Sequence, residues 1–223
     1  FRSGHGSRLA VEVACGVAAE RAPSLAAEED VEVLGGRLRT ELAPEIVARW
    51  RAAVAHDLSR EPLDDRELAR VGGDAGIAYG STLLVAILMG RWALLAQIGD
   101  GDILAVETGG HALAPLPPDP WNRGRFTSSL CQEDPLASFR VATIDLERQQ
   151  LSLLLLATDG FGNSQVDDPW YQPFGSDLLQ LVARHGSAWV GARLAEWAAR
   201  CASSEGSGDD TTIALLVQAG RRR

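Results

Sequence analysis

Lysine is absent from all 223 residues; each of the 21 basic side chains is an arginine. Its absence excludes mechanisms that need an amine nucleophile, such as a Schiff base, and phosphate loops built on a lysine. Cysteine is scarce: Cys15, Cys131 and Cys201 are odd in number and share no C-x-x-C spacing. Neither a disulfide framework nor a zinc cluster is signalled, and three reduced thiols lead to the expectation of a cytoplasmic protein. No apolar run approaches the roughly 18 residues that a membrane-spanning helix needs, so no membrane association is expected. Positive charge is in deficit, 21 basic against 30 acidic residues for a net charge of −9. A general nucleic-acid binder needs a basic face, so that class is set aside. The acidic surplus suits divalent cations, which take carboxylate oxygens.

What is present is ordinary for a folded protein. With 46% hydrophobic and 23% charged residues, disorder is excluded for the bulk of the chain. The length accommodates one large domain with a sizeable core. Leu9, Val13 and Val17 recur every four residues and predict a helix from Ser7, as its cap, to about Arg21. A second helical pattern runs from about Glu28 to Leu58, with Gly35-Gly36 and Pro44 as places where it breaks. The charged, Pro- and Gly-containing stretch from about Arg60 to Ala78 reads as a connecting loop.

After Gly80 the texture changes to short apolar runs separated by turns. Ser81 to Leu88 and Trp92 to Ile98 form a hairpin around Met89-Gly90-Arg91; Gly99-Asp100-Gly101-Asp102 then turns into the strand Ile103 to Glu107. Phe139 to Leu146 and Leu151 to Ala157 are two further strands. After a loop to Gly175, two helices separated by Gly186 precede a last strand, Thr211 to Gln218. Strands joined by tight turns imply antiparallel pairing, and the Leu-rich, uncharged run Leu151 to Ala157 needs cover on both faces.

Three aspartates share a setting at strand ends, beside Gly or another Asp: Asp100 in IGDGD, Asp159 in LLATDGFGN and Asp209 in GSGDDTTIALLV. A carboxylate directly after a buried strand is held by that strand yet reaches the open end of the sheet. Converging carboxylates repel unless a cation neutralises them, and an all-oxygen set without His or Cys selects a hard ion such as Mg²⁺ or Mn²⁺. The competing reading of each site alone is a plain Asp-Gly turn.

The flanks of these aspartates carry a resemblance. GSTLLVAIL, QIGDGDILAV, LLLLATDGFGN and GDDTTIALLV, in this order, resemble the successive motifs of the metal-dependent serine/threonine protein phosphatases, the type 2C family, and its bacterial branch in particular. The resemblance runs from about Gly4 to Val217. It implies an α+β fold, a four-layer αββα sandwich of two antiparallel sheets flanked by helices. It implies a phosphoric monoester hydrolase that removes phosphate from phosphoserine and phosphothreonine through a metal-activated water at a binuclear Mn²⁺/Mg²⁺ centre. Asp159 and Asp209 match metal ligands of the family, and Asp100 matches the ligand of a weaker, third metal position. The implied partners are a phosphorylated protein substrate and a cognate Ser/Thr kinase.

The sequence departs from the family pattern at its start and at Asn163. The family's first Asp-Gly motif, whose carboxylate bridges both metals, has no counterpart in FRSGHG, nor does its phosphate-binding arginine. The expectation is a single phosphatase-like domain over residues 1–223 that lacks its N-terminal strands in this sequence; the alternative is a catalytically inactive pseudophosphatase serving as a binding or regulatory module. Asn163 stands where many members carry Asp, which weakens a third cation. Among other residues, His5 is a candidate general acid or a solvated loop histidine, and Thr127-Ser128-Ser129 a loop near the site or a polar turn. Trp50, Trp92, Trp189 and Trp197 are expected in the core, Trp121, Trp170 and Tyr171 as exposed aromatics that grip a partner, and Arg221-Arg222-Arg223 as a solvated tail.

Overall fold

A computed structural model describes residues 1–120, 126–166 and 169–218. They divide into two compact units, Phe1–Asp100 with Pro118–Asp145, and Gly101–Pro117 with Leu146–Arg223. The first unit holds α1 (Ser3–Ala26), α2 (Val31–Arg37), α3 (Ala43–Arg60) and α4 (Asp65–Arg70), followed by the hairpin strands β1 (Leu83–Met89) and β2 (Trp92–Ile98). The chain then makes β3 (Asp102–Glu107) and β4 (Ala112–Leu113) of the second unit, returns for β5 (Arg140–Asp145), and completes the second unit with β6 (Leu151–Ala157), α5 (Asp159–Gly162), α6 (Tyr171–His185), α7 (Ser187–Gly191), α8 (Leu194–Cys201) and β7 (Ile213–Val217). The architecture is α+β, with two antiparallel sheets and helices packed on them.

In the first unit the sheet order is β1-β2-β5, and Met89 pairs with Trp92 across the Gly90-Arg91 turn. Gly90 adopts φ 55°, a conformation that costs glycine nothing. The core joins Leu34, Leu38, Ile46 and Trp50 of the helical layer to Leu83, Leu94 and Ile98 of the sheet. Burying each such side chain contributes about 1.5–3 kcal/mol, which makes this layer the main stabiliser of the unit.

The helices of the first unit depart from the sequence expectation at several points. α1 begins at Ser3, four residues ahead of the expected cap, because Arg2 anchors the chain: its N–H donates to Ala78 O at 3.0 Å and its guanidinium to Tyr79 OH at 2.8 Å. Ser7 Oγ donates back to Gly4 O and caps nothing. The second helical stretch does not break at Gly35-Gly36 or Pro44; a π turn over Leu38–Leu42 joins α2 to α3, with Ala43 N–H reaching Leu38 O. That wide turn leaves room for the ring of Pro44 in the first turn of α3, where a missing N–H is harmless. The expected loop at 60–78 contains α4, started by a reciprocal capping box between Asp64 and Glu67.

The second unit has sheet order β4-β3-β6-β7. Its register sets Asp102 opposite Ala157, and Ala157 opposite Ile213. The start of β3, the end of β6 and the start of β7 therefore share one end of the sheet. α6 starts at Tyr171, earlier than expected, because Pro173 sits in its first turn, where proline is tolerated. Gly175 lets α6 approach the sheet: a Cβ there would lie 2.6 Å from Ala112 Cβ.

Candidate metal centre

The shared sheet end carries Asp102, Asp159, Asp209 and Asp210 of the second unit. β6 runs apolar to Ala157 and leaves Asp159 half-buried as the first residue of α5. Gly208, at φ 74°, turns the chain into Asp209 and Asp210, both exposed, just before β7. The two segments are stitched together at Thr158: its N–H donates to Thr212 O at 3.1 Å, its hydroxyl to Asp210 O at 3.2 Å, and Thr212 N–H returns to the hydroxyl at 2.9 Å. Gly160 fills the remaining gap, since a Cβ there would meet Thr211 Oγ1 at 2.7 Å and Asp210 O at 2.9 Å. Asp159 and Asp209 thus stand on adjacent strand ends in fixed relation.

Some of their hydrogen bonds are to neighbours in sequence. Asp209 Oδ1 accepts the N–H of Asp210 at 2.8 Å. Asn163 points its amide at Asp159, Nδ2 to Oδ2 at 3.4 Å, while its N–H donates to Asp159 O at 2.8 Å. A carboxylate at position 163 would repel Asp159; the amide donates to it instead.

Asp102 is a residue that the sequence reading passed over. It accepts from Tyr171 OH at 3.0 Å, and its Oδ2 lies 2.5 Å from where a Cβ on Gly162 would be, so its carboxylate packs on α5. The signal was present in the second Asp of Gly-Asp-Gly-Asp. Asp100, the first Asp of that motif, belongs to the first unit, where Thr127 Oγ1 donates to its Oδ2 at 2.5 Å.

The donor set is entirely oxygen, which fits Mg²⁺ or Mn²⁺ in kind. It is smaller than a complete shell: among the described residues no three His, Cys, Asp or Glu side chains form a group that could hold a metal ion. Within the second unit Asp159 and Asp209 lie on the ends of neighbouring strands, β6 and β7.

Other candidates resolve differently. His5 lies 3.4 Å from Asp57 Oδ2, with its ring 5.8 Å from that of Tyr79, in a cluster that anchors the start of α1. Ser128 donates to Asp119 at 2.7 Å and Ser129 to Ser81 O at 3.0 Å, so of the three hydroxyls only Thr127 meets a candidate ligand. Trp50 and Trp92 are core residues of the first unit; Trp189 and Trp197 pack partly buried on the core of the second. Trp170 is not an exposed grip. It is buried, with Phe161 5.4 Å and Phe174 5.7 Å away between ring centres, because the aromatic side chains close the sheet end under α5 and α6. Trp121 and Arg221-Arg222-Arg223 lie outside the described residues. Among the described residues no helix is long and apolar enough to cross a membrane.

Two antiparallel sheets with helices packed on them, with Asp159 and Asp209 at one end of the second unit's sheet, define an α+β protein. Residues 1–199 match the family described as protein phosphatase 2C, and the chain belongs to that family. Solved bacterial structures share its fold. PppA, a key regulatory component of T6SS in Pseudomonas aeruginosa, is 18% identical, with 96% of this chain and 79% of that one aligned and a TM-score of 0.54. The Mycobacterium tuberculosis serine/threonine phosphatase PstP/Ppp is 18% identical over 94% of this chain and 81% of that one, TM-score 0.53. The catalytic domain of PstP in complex with two manganese ions is 18% identical over 93% and 79%, TM-score 0.52. No curated protein matches the sequence.

Proposed function

We propose that the protein is a metal-dependent phosphoprotein phosphatase acting on phosphoserine and phosphothreonine. The observation that carries the reading is the pair Asp159 and Asp209, fixed on adjacent strand ends by Thr158 and Gly160. Membership of the protein phosphatase 2C family supports it, as does the likeness to a phosphatase that holds two manganese ions.

In this reading Asp159 and Asp209 hold a divalent Mn²⁺ or Mg²⁺ centre of two ions, and Asp100 serves a weaker third position. When bound, such ions activate water as a nucleophile and neutralise the phosphoryl oxygens. The chain's own part is positional. β6 and β7 set the spacing of the two carboxylates, and the Thr158 bonds keep it. Asn163 lowers the negative charge beside Asp159, which makes a third cation bind more weakly than the first two. The substrate is a phosphorylated protein, by analogy with the relatives' phosphatase activity, and a Ser/Thr kinase is the natural counterpart. Three free cysteines suit a cytoplasmic setting.

A second reading, a pseudophosphatase that binds or regulates without hydrolysis, is favoured by the lack of a three-ligand group among the described residues. Calorimetric titration with Mn²⁺ separates the two. Two-site binding that Asp159→Asn removes supports the enzyme; no binding by the wild-type protein supports the pseudophosphatase.

A further inference from the structure

The second unit contains a cavity of about 390 Å³ behind the Asp159 segment, walled by α5, α6, α8 and the turn that follows α8. That volume lies within the few hundred Å³ typical of small-molecule pockets. Its floor is apolar and aromatic, with Phe161, Phe174, Leu181 and Trp197 among the lining residues. Three charged side chains, Asp177, Arg200 and Glu205, stand at its rim. All three are exposed, and none of them forms an ion pair with another described residue. An apolar floor with two carboxylates and one guanidinium around it leaves one negative charge unmatched at the mouth. A small ligand that buries an apolar body there meets a net attraction for a positive head group, and an anion meets repulsion.

We propose that this cavity is a binding site for a small amphipathic molecule with an aromatic or branched apolar body and one cationic group. Its walls are joined to the backbone beside Asp159. Ser164 donates from Oγ to Gly160 O at 2.6 Å, and Ser207 donates from Oγ to the same carbonyl at 2.8 Å and from its N–H to Ser164 Oγ at 3.0 Å. Ser164 lines the cavity and Ser207 follows the lining residue Gly206, so a ligand that shifts this wall shifts the turn leading into Asp209. The binding site itself does not depend on the phosphatase reading.

The test is a titration of the ¹⁵N-labelled protein, followed by nuclear magnetic resonance. Tryptamine serves as the cationic probe, 3-ethylindole as its neutral and indole-3-propionate as its anionic counterpart. The expected result is saturable shifts at the Trp197 indole N–H and the Ser164 and Gly206 amides, with smaller shifts at Asp209 and Asp210. Tryptamine is expected to bind about tenfold more tightly than indole-3-propionate, a difference of one unmatched charge near a partly desolvated mouth. Glu205→Gln, at an exposed position, cancels the one unmatched charge and brings the cationic and anionic probes to within about twofold, and adding Asp177→Asn leaves Arg200 unmatched and turns the preference toward the anionic probe. Leu181→Trp fills the cavity and removes binding. No saturable shift with any probe, equal or tighter binding of the anionic probe by the wild type, or unchanged binding in Leu181→Trp overturns the proposal. None of these outcomes bears on phosphatase activity, which is measured separately.

Discussion

Thr158 and Asp210 are joined across the ends of two neighbouring strands: the threonine hydroxyl donates to the aspartate carbonyl at 3.2 Å, and Thr212 N–H donates back to that hydroxyl at 2.9 Å. The pair converts two separate turns into one rigid edge, on which Asp159 and Asp209 stand. Thr158→Val keeps the shape of the side chain and removes both bonds. Each bond of this kind contributes about 1 kcal/mol, so the variant is expected to lose roughly 1–2 kcal/mol of stability in urea unfolding. Its demand for Mn²⁺ is expected to rise several-fold while the circular dichroism spectrum is unchanged.

Gly160→Ala tests the same edge from the other side. The new Cβ would press on Asp210 O and on Asp209 O, 2.9 and 3.1 Å away, and backbone cannot yield as a flexible side chain does. A loss of about 1–3 kcal/mol is expected, as for other overpacked sites, together with weakened Mn²⁺ binding. Gly191→Ala, at a helical position with nothing within 4 Å, is the control: it is expected to be neutral or to stabilise by up to about 1 kcal/mol.

The aspartates were legible in the sequence because each closes or opens an apolar run that can only be a strand, and Asp-Gly marks the turn. The β1-β2 hairpin and the α+β class follow from the same runs, but the turns after Ile98 and Asp145 join strands of different sheets, so β2 does not pair with β3 nor β5 with β6. The second acid of Gly-Asp-Gly-Asp was not legible as a site residue, since its role depends on Tyr171 reaching it from 69 positions away. The early start of α1 depends likewise on Arg2 meeting Ala78 and Tyr79, a contact invisible to local periodicity. The capping box Asp64 to Glu67 was fully written in the sequence and outweighs the charge-rich composition that suggested a loop. The burial of Trp170 is a packing outcome, set by Phe161 and Phe174, rather than a property of its loop.

Tyr79 and Asp57 give the first unit a pH signature. The Tyr79 hydroxyl donates to Asp57 Oδ2 at 2.5 Å, and this bond, helped by His5, Arg2 and Arg60 and opposed by burial, holds the Asp57 carboxyl below its ordinary value. A group depressed in the folded state contributes stability that is present above its unfolded pKa, near 4, and is lost as pH falls through the folded pKa. Burial and the Asp57 bond, opposed by Arg2, push the Tyr79 hydroxyl up, so its contribution is present below about pH 10 and is lost as pH rises beyond. Tyr79→Phe is therefore expected to flatten the dependence of the melting temperature on pH at both ends. A melting profile as steep in the variant as in the wild type would remove this assignment.

Arginine alone carries the positive charge of the helical layer, and it forms a chain of pairs: Arg49 to Glu20 at 2.6 Å and to Glu45 at 2.5 Å, Arg21 to Glu45 at 2.6 Å, and Arg37 to Glu41 at 3.0 Å. Arg49 and Glu20 are exposed and the others half-buried, so salt screens the Arg49 to Glu20 pair most. Arg49→Ala is expected to lower the melting temperature slightly at low salt and not at about 1 M NaCl, where the screening length is only about 3 Å. Calorimetric scans at the two salt concentrations check it.

The most direct test of the central assignment is hydrolysis of a phosphoserine peptide by the protein, measured against Mn²⁺ concentration, for the wild type and Asp159→Asn. The wild type is expected to release phosphate only with Mn²⁺ or Mg²⁺ present. Asp159→Asn should lose at least about 100-fold in kcat/KM, as the loss of several kcal/mol of transition-state stabilisation requires. Undiminished hydrolysis by Asp159→Asn, or hydrolysis by the wild type in excess chelator, would contradict the assignment.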